Sequence, residues 1–168
     1  MSGNPSAQRP ARIVGIDPGI TGAIAELHGT ELHAVHDMPT VTDSTGRQRV
    51  NPLGVLDILR QADPDLVVLE QVNAMPGSGP GRRTMGAQSM FNFGRGFGVV
   101  EASVQALGLP LRFVAPATWK ARAGLTRRPK DYARTLALQL YPRADLQRRA
   151  DTGRADAILI ARFGHDSR

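Results

Sequence analysis

Apolar residues near the N-terminus occur in short runs, and glycine, proline or charged residues bound each run. The first, Ile13-Val14-Gly15-Ile16, ends at Asp17, turns through Pro-Gly and resumes at Ala23-Ile24-Ala25. Runs of this length that are rich in Ile and Val predict strands joined by hairpins. The predicted strands are 12–18, 22–28 and 31–37, followed by an exposed loop over 39–51.

The rest of the chain alternates helical and strand patterns. Leu53, Leu56 and Leu59 recur at roughly helical spacing behind Pro52, which suits a first helical turn and predicts a helix over 52–61. The continuous apolar run 65–72 is typical of a strand buried in a parallel arrangement, and it too has a carboxylate near its end, Glu70. Further predictions are a glycine- and proline-rich loop at 73–83, helices at 84–107, 116–122, 130–140 and 151–163, and a short strand at 111–114.

Composition narrows the class of protein. The chain has 168 residues, 41% of them apolar and none of them cysteine, so we predict one globular domain over 12–168 behind a loose tail, 1–11. The absence of cysteine excludes a disulfide framework and a thiolate zinc site. The sequence has neither an apolar stretch of membrane-spanning length nor a signal peptide, so we expect a cytoplasmic, nucleoid-associated protein.

Charge is unevenly distributed along the chain. Residues 1–81 contain 5 basic and 9 acidic residues, whereas residues 82–168 contain 16 and 6. A segregated basic half points to a polyanionic partner, and nucleic acid is favoured over the alternative of a merely solubilising surface.

Three carboxylates lie in or at the end of apolar segments, where the local pattern does not account for a charged side chain. Asp17 and Glu70 lie at the ends of predicted strands, and Asp156 lies among alanine, isoleucine and leucine in the last predicted helix. Converging carboxylates repel one another unless cations bind, and two Mg²⁺ ions fit that need in phosphodiester hydrolysis. Taken singly, each has an ordinary alternative, such as a turn residue for Asp17 or a helix-surface residue for Asp156.

At this point the chain resembles a known family. Gly15-Ile16-Asp17-Pro18-Gly19, Leu69-Glu70-Gln71-Val72 and Arg154-Ala155-Asp156-Ala157 resemble the motifs of the RuvC group of Holliday-junction resolvases, in the RNase H-like superfamily. The order and spacing match from about Arg12 to Phe163. Gly153-Arg154 and Phe93-Gly94-Arg95 are more like the compact phage or prophage relatives. The resemblance implies an α/β fold with a mixed five-stranded sheet, strands one to three antiparallel, flanked by helices.

The resemblance also implies the site. Asp17, Glu70 and Asp156 would be ligands of two Mg²⁺ ions, with Mn²⁺ able to substitute. The family usually has its fourth acidic residue three positions before the last Asp, where this chain has Gly153, so we predict that Asp151 replaces it. Residues five apart on a helix point about 140° away from each other, so Asp151 can serve only if it precedes the helix proper. Its alternative role is a helix N-cap.

Basic residues complete the predicted site. Lys120 and Lys130 match basic positions of the family and are candidate catalytic residues, with solvated surface lysines as the alternative. Five arginines are predicted to contact DNA phosphates together with these two lysines. The arginines are Arg82, Arg83, Arg95, Arg127 and Arg128. Asn73 replaces the family's junction-contacting aromatic residue. The histidines at 28, 33, 36 and 165 show no metal-ligand spacing tied to the carboxylates and are predicted to be structural. Trp119 and Met38 are predicted to lie in the core.

The sequence therefore predicts a Mg²⁺-dependent endodeoxyribonuclease that acts on branched DNA, and the resemblance implies a homodimer that nicks a four-way junction symmetrically. Three alternatives stay open. One is another RNase H-like nuclease that cuts RNA–DNA hybrids or flaps. A second is a non-cleaving junction-binding protein. The third is an actin-like or sugar-kinase ATPase, which also begins with an Asp-x-Gly-x-Thr hairpin but needs a second phosphate-binding hairpin.

Overall fold

A computed structural model describes residues 9–71 and 86–167, and it shows a mixed sheet packed between two groups of helices. The strands are β1 Arg12–Asp17, β2 Ala23–His28, β3 Glu31–Asp37, β4 Thr40–Thr42, β5 Gln48–Val50, β6 Leu66–Glu70 and β7 Leu111–Val114. The helices are α1 Pro52–Ala62, α2 Ala87–Ala106, α3 Pro116–Arg122, α4 Tyr132–Leu140 and α5 Thr152–Asp166.

The five-stranded sheet confirms the predicted architecture. Its order is β3-β2-β1-β6-β7, with β1, β2 and β3 antiparallel and β6 and β7 parallel to β1. Ile16 on β1 pairs with Leu69 on β6, so the next residue of each strand, Asp17 and Glu70, lies at the same edge of the sheet. The topology therefore brings together two carboxylates that are 53 positions apart in the sequence.

Helix α5 packs directly against the centre of the sheet. Gly15 on β1 permits this approach, because a Cβ at this position would lie 2.2 Å from the backbone nitrogen of Ala161 and 2.4 Å from the carbonyl oxygen of Ala157. Ile158 and Ile160 of α5 are fully buried in the same core as α3 and α4. This close packing holds the start of α5 beside the end of β1.

Helices α1 and α2 cover the other face of the sheet. Asn51 caps α1 by accepting a hydrogen bond from the Leu53 backbone N–H, and Val55 and Leu59 are fully buried against β1 and β6. Leu53, which the sequence placed in the same apolar stripe, is 67% exposed. The buried stripe of α1 is therefore offset from the predicted one, whereas the helix itself is confirmed.

The predicted loop 39–51 is in fact a β-hairpin, which corrects the sequence analysis. Strands β4 and β5 pair antiparallel, and the Asp43 backbone N–H donates to the Arg47 carbonyl oxygen at 2.9 Å. Gly46 takes a positive φ of 78° in the turn, as glycine does at no steric cost. Val50 anchors the hairpin by entering the core beneath α2.

Other predicted elements differ at their ends. Helix α4 starts at Tyr132 and α5 at Thr152, slightly later than predicted, and α5 continues to Asp166. The described residues begin at Arg9, so positions 1–8 of the predicted tail 1–11 lie outside them. The Arg9 guanidinium donates a hydrogen bond to Asp65 Oδ1 at 2.8 Å. The predicted loop 73–83, with Arg82 and Arg83, also lies outside them. None of the helices within 9–71 and 86–167 has the length and apolar character needed to cross a membrane.

Candidate active site

Asp17 ends β1 immediately before a tight turn. Its Oδ1 accepts a hydrogen bond from the Gly19 backbone N–H at 3.3 Å, and the turn closes through the Gly22 N–H and the Gly19 carbonyl at 2.8 Å. Burial raises the pKa of the Asp17 carboxyl, while the Gly19 hydrogen bond and the charges of Lys120 and Lys130 partly oppose that rise. The chain therefore holds this carboxylate in a partly desolvated position.

Glu70 ends β6 beside Asp17 and has one direct hydrogen-bond donor. The indole Nε1–H of Trp119 donates to its Oε1 at 2.8 Å, and the Trp119 side chain is fully buried. Burial raises the pKa of Glu70, the Trp119 bond lowers it, and the neighbouring charge of Asp17 raises it again. Sequence analysis placed Trp119 in the core, which is correct, but missed that its polar atom fixes a site carboxylate.

Asp156 reaches the same edge of the sheet from the second turn of α5. Burial raises its pKa to about 7, and the charges of Asp17 and Glu70 add to the rise, against Lys120 and Lys130. Three carboxylates from separate elements therefore sit close enough to disfavour one another's ionised form. We call Asp17, Glu70 and Asp156 the carboxylate centre.

Two lysines border the carboxylate centre. The Lys120 Nζ lies 3.9 Å from Asp156 Oδ2 and 4.9 Å from the centre of the Trp119 ring. The Lys130 charge also lowers the pKa of Asp17 and of Asp156, although Lys130 itself is exposed in the loop before α4. Both predicted lysines thus lie where they can act on charge at the centre.

Asp151, the predicted fourth ligand, is held elsewhere. Its side chain is 1% exposed, and Oδ1 accepts from Arg148 Nε at 2.8 Å while Oδ2 accepts from the Arg148 backbone N–H at 2.7 Å. Burial raises the pKa of Asp151, but the Arg148 hydrogen bonds and charge outweigh burial and lower it overall. The residue stands at the N-cap position of α5, yet its side chain makes no capping bond to the helix.

Gly153 explains why no side chain fills the family's usual fourth position. A Cβ there would lie 2.4 Å from the Thr21 carbonyl oxygen and 2.9 Å from the Gly22 Cα, both in the turn that follows Asp17. Real Cβ atoms essentially never approach backbone this closely. The turn therefore closes the position that an acidic residue would need.

A groove of about 740 Å³ lies between the turn that follows Asp17, the β4–β5 hairpin and α2. Pro18 and Ile20 line it from the turn after Asp17, and Phe93 and Arg95 line it from α2. Farther along α2, the partly buried Phe97 packs against the core, while Phe91 is 65% exposed. The predicted DNA contact Arg95 thus lines the same groove as the turn that follows Asp17.

The remaining described arginines of the predicted interface lie between α3 and α4. Arg127 has a positive φ of 61°, and the Arg128 guanidinium lies 4.9 Å from the Tyr132 ring centre. Both side chains are exposed in the loop that also contains Lys130. The structure therefore places three exposed cations on one short connection beside the site.

Two of the histidines that the sequence analysis treated as structural lie beside each other and beside Glu26. His28 and His33 stack with ring centres 4.1 Å apart, and Glu26 contacts His28. Glu26, His28 and His33 have ligand atoms within 4.8 Å of one another. The sequence feature that could have indicated this group is the spacing of Glu26 and His28, which are two residues apart on β2.

The carboxylate centre fits a hard divalent metal by its donor chemistry. Carboxylate oxygens are the ligands that Mg²⁺ and Mn²⁺ prefer. Within the described residues, neither Asp17 nor Glu70 has a salt bridge, and Asp156 has only the long contact with Lys120. Ionised together, these carboxylates need added positive charge, which a divalent cation supplies.

Comparisons with known proteins agree with this geometry. No protein-family model matches the chain. A crossover junction endodeoxyribonuclease RuvC from Granulibacter bethesdensis is 28% identical over 172 residues, an alignment that covers 98% of this chain and 92% of that protein.

Solved structures share the fold over nearly the whole chain. RuvC of T. thermophilus in complex with a Holliday junction substrate has a TM-score of 0.64 at 18% identity and covers 90% of each chain. The yeast mitochondrial Holliday junction resolvase Ydc2 has a TM-score of 0.56 at 16% identity, covering 90% of this chain and 76% of that one. The chain is therefore similar to RuvC over nearly its whole length and shares the fold of these solved resolvases, in agreement with the resemblance of its three acidic motifs.

Proposed function

We propose that this protein is a Mg²⁺-dependent, structure-selective endodeoxyribonuclease that resolves four-way DNA junctions. The observation that supports this most directly is the carboxylate centre, where burial raises the pKa of all three acids and the charge of neighbouring carboxylates raises the pKa of Glu70 and Asp156 further. An arrangement so unfavourable without a cation has little value to folding. It matches the need of phosphodiester hydrolysis for metal ions held beside the scissile phosphate.

In this proposal Asp17, Glu70 and Asp156 hold two Mg²⁺ ions, and Mn²⁺ substitutes. When bound, the metal pair compensates negative charge and orients a water molecule in line with the scissile P–O bond. The water oxygen joins phosphorus, the bond to the 3′ oxygen breaks, and the products are a 5′-phosphate and a 3′-hydroxyl. Asp151 is not included in this ligand set, because Arg148 occupies both of its oxygens.

In this proposal the side chains around the carboxylate centre orient its ligands, neutralise negative charge and bind the DNA backbone. The Trp119 N–H fixes the orientation of Glu70, as outer partners of metal ligands commonly do. The Lys120 and Lys130 ammonium groups stabilise negative charge that develops on the phosphate in the transition state. Arg95, Arg127 and Arg128 bind phosphates away from the cleaved bond and set the register of the DNA.

A resolvase must cut two strands of a junction. We propose that two copies of this chain form a homodimer whose two carboxylate centres nick strands of like polarity symmetrically. The proposal extends to this chain what the names of its relatives state, a crossover junction endodeoxyribonuclease and a structure bound to a Holliday junction. The phage-type assignment stays a prediction.

The test is cleavage of an end-labelled synthetic four-way junction in Mg²⁺, beside linear duplex, flap and RNA–DNA hybrid substrates. We expect paired symmetric nicks on the junction alone, and their loss in Asp17→Asn, which keeps the shape of the side chain. Thermal unfolding of the variant serves as the folding control.

Each alternative function has its own outcome in the same assay. Tight junction binding without cleavage in Mg²⁺ or Mn²⁺ would leave a DNA-binding protein and contradict the nuclease proposal. Preferential cutting of the hybrid or flap would indicate a different RNase H-like nuclease.

A further inference from the structure

A second group of potential metal ligands lies on the β2–β3 hairpin. Glu26 and His28 are two residues apart on β2, a spacing that puts both side chains on one face of the strand. His33 joins them from β3, and one ligand atom from each of the three residues lies within 4.8 Å of the others. We call Glu26, His28 and His33 the His-Glu cluster.

A bulge in the hairpin brings His33 into the cluster. Glu26 pairs with Ala34 and Leu27 pairs with Leu32, so His33 is an extra residue on β3 opposite the Glu26–Leu27 step. Bulges re-aim side chains that regular pairing would send elsewhere. Here the His33 ring comes to lie over the His28 ring, with 4.1 Å between centres and 13° between planes.

The charge balance of the cluster calls for a cation. Glu26 is only 9% exposed, and its one ionic partner within 9–71 and 86–167 is His28. Buried carboxylates are ordinarily paired with a cation or coordinate a metal. Arg12 pairs with His28 across β1 and β2, but its guanidinium is directed to the Ala62 carbonyl and to Asp63.

Histidine charge accounts for only part of the cluster. A charge on His28 alone would balance Glu26 without involving His33, and charges on both rings, stacked 4.1 Å apart, would repel each other. A divalent metal bound by two neutral imidazoles and one carboxylate satisfies all three residues at once. Imidazole nitrogen suits Zn²⁺ and its first-row neighbours, whereas Mg²⁺ prefers oxygen ligands.

We propose that Glu26, His28 and His33 form a binding site for Zn²⁺ or a similar divalent transition metal, separate from the oxygen-only carboxylate centre. The parallel rings do not yet direct their nitrogen lone pairs at one point, so binding requires the His33 ring to rotate. His33 is exposed and has room to do so. Water would supply the remaining coordination position, as in other three-ligand zinc sites.

Metal binding at the His-Glu cluster is expected to stabilise the β2–β3 hairpin. β3 is the edge strand of the sheet, and among the described strands it pairs with β2 alone. β2 in turn begins at Ala23, which pairs with Asp17. A metal that bridges β2 and β3 binds the folded hairpin and not the unfolded chain, so it raises the stability of the fold through mass action.

The test is Zn²⁺ titration by calorimetry near neutral pH in an Asp17→Asn, Asp156→Asn background, which weakens competing binding at the carboxylate centre. We expect saturable binding of one Zn²⁺ and a rise in Tm on its addition. His33→Ala should weaken binding by about tenfold or more, given that loss of even outer partners costs 10–100-fold. Glu26→Gln should weaken it similarly.

The matched control is His36→Ala, which removes an exposed histidine of β3 outside the cluster. It should leave the Zn²⁺ affinity unchanged. The proposal is overturned if the background protein shows no saturable Zn²⁺ binding, if His33→Ala binds Zn²⁺ as tightly as the background, or if His36→Ala loses as much affinity as His33→Ala. The readouts are binding and Tm, so a failure of the nuclease proposal does not affect them.

Discussion

Two aspartates at the start of α5, five residues apart, have opposite surroundings. Asp151 is enclosed by Arg148, and its pKa is lowered overall despite its burial. Asp156 faces two other carboxylates, and burial raises its pKa to about 7. The comparison shows that two aspartates at the start of one helix can have pKa values shifted in opposite directions, according to whether an arginine pairs with them. In our proposal, Arg148 gives Asp151 a structural role, and the lack of an arginine partner among the described residues leaves Asp156 available for a cation.

Arginines at the start of α5 strengthen this contrast. Arg154, two residues before Asp156, donates to Asp37 Oδ1 at 2.6 Å and to Asp145 Oδ2 at 2.6 Å. Its charge is therefore engaged by carboxylates that join α5 to β3 and to the segment before the helix. Among residues 9–71 and 86–167, the one salt bridge to the carboxylate centre is that of the Lys120 ammonium with Asp156, and none comes from a guanidinium group.

The largest stability effect should come from removing the partner of Asp151. Arg148→Met leaves the buried Asp151 carboxylate without its arginine partner, and a buried charge that loses its partner is destabilising. We expect a fall in Tm of about 5–10 °C. Asp151→Asn should lower Tm less, because the freed Arg148 is exposed to water. Thermal unfolding of both variants checks the order, and the reverse order would contradict the structural role of Asp151.

Filling the fourth position should also destabilise the protein. Gly153→Ala puts a Cβ against the Thr21 carbonyl, and overpacking of this kind costs about 1–3 kcal/mol. Gly153→Asp, which restores the family residue, should be no better. A control at Gly94, where a Cβ meets nothing within 4 Å, should tolerate alanine. Equal Tm values for Gly153→Ala and the wild type would contradict this prediction, because they would show that the turn after Asp17 shifts to accommodate the Cβ.

The pH dependence of stability should distinguish Asp156 from Asp151. The folded state raises the pKa of Asp156 from 3.8 to about 7, so the folded state binds more protons than the unfolded state between those values, and stability falls as pH rises through this window. With metals chelated, Asp156→Asn should therefore gain Tm relative to wild type above about pH 7, by about 3–6 °C.

Asp151 has the opposite sign, because its lowered pKa adds stability above its unfolded value of 3.8, which is lost as pH falls through the folded pKa. Asp151→Asn should therefore lose Tm at neutral pH in the same chelated buffer. Parallel curves for wild type and Asp156→Asn between pH 4 and 7 would contradict the assignment of the raised pKa.

The smallest effect concerns Trp119. Trp119→Phe removes the N–H that fixes Glu70, and loss of such an outer partner should raise the Mg²⁺ concentration for half-maximal cleavage by about tenfold. Trp119→Phe also leaves a small cavity, so Phe97→Leu, which changes a core aromatic away from Glu70, is the control. An equal Mg²⁺ requirement in both variants would show that Trp119 contributes packing alone.

The sequence predicted the parts of this site that depend on strand ends. Asp17 and Glu70 close apolar runs, and parallel strands bring such ends to one edge of a sheet. The β4–β5 hairpin escaped prediction because its strands are three residues long and mostly polar. A tertiary contact alone pairs Trp119 with Glu70 across 49 positions, and no local pattern encodes it.

Three other features could not be predicted from the sequence, because each depends on contacts that no local pattern encodes. Asp151 was an acidic residue near the right place, and nothing local showed that Arg148 would take both of its oxygens. The closure of Gly153 depends on a turn 131 positions earlier in the sequence, at Gly22. His33 joins Glu26 and His28 through a bulge, and a regular register would not have brought it there.

The most direct test of the account is junction cleavage by Asp156→Asn and Asp151→Asn side by side in saturating Mg²⁺, at a temperature where both are folded. The account predicts that Asp156→Asn loses activity by about 10³-fold or more, equivalent to roughly 4 kcal/mol of transition-state stabilisation. Asp151→Asn should retain wild-type activity within a few-fold. Equal and complete loss in both variants would contradict the three-carboxylate centre and make Asp151 the fourth ligand.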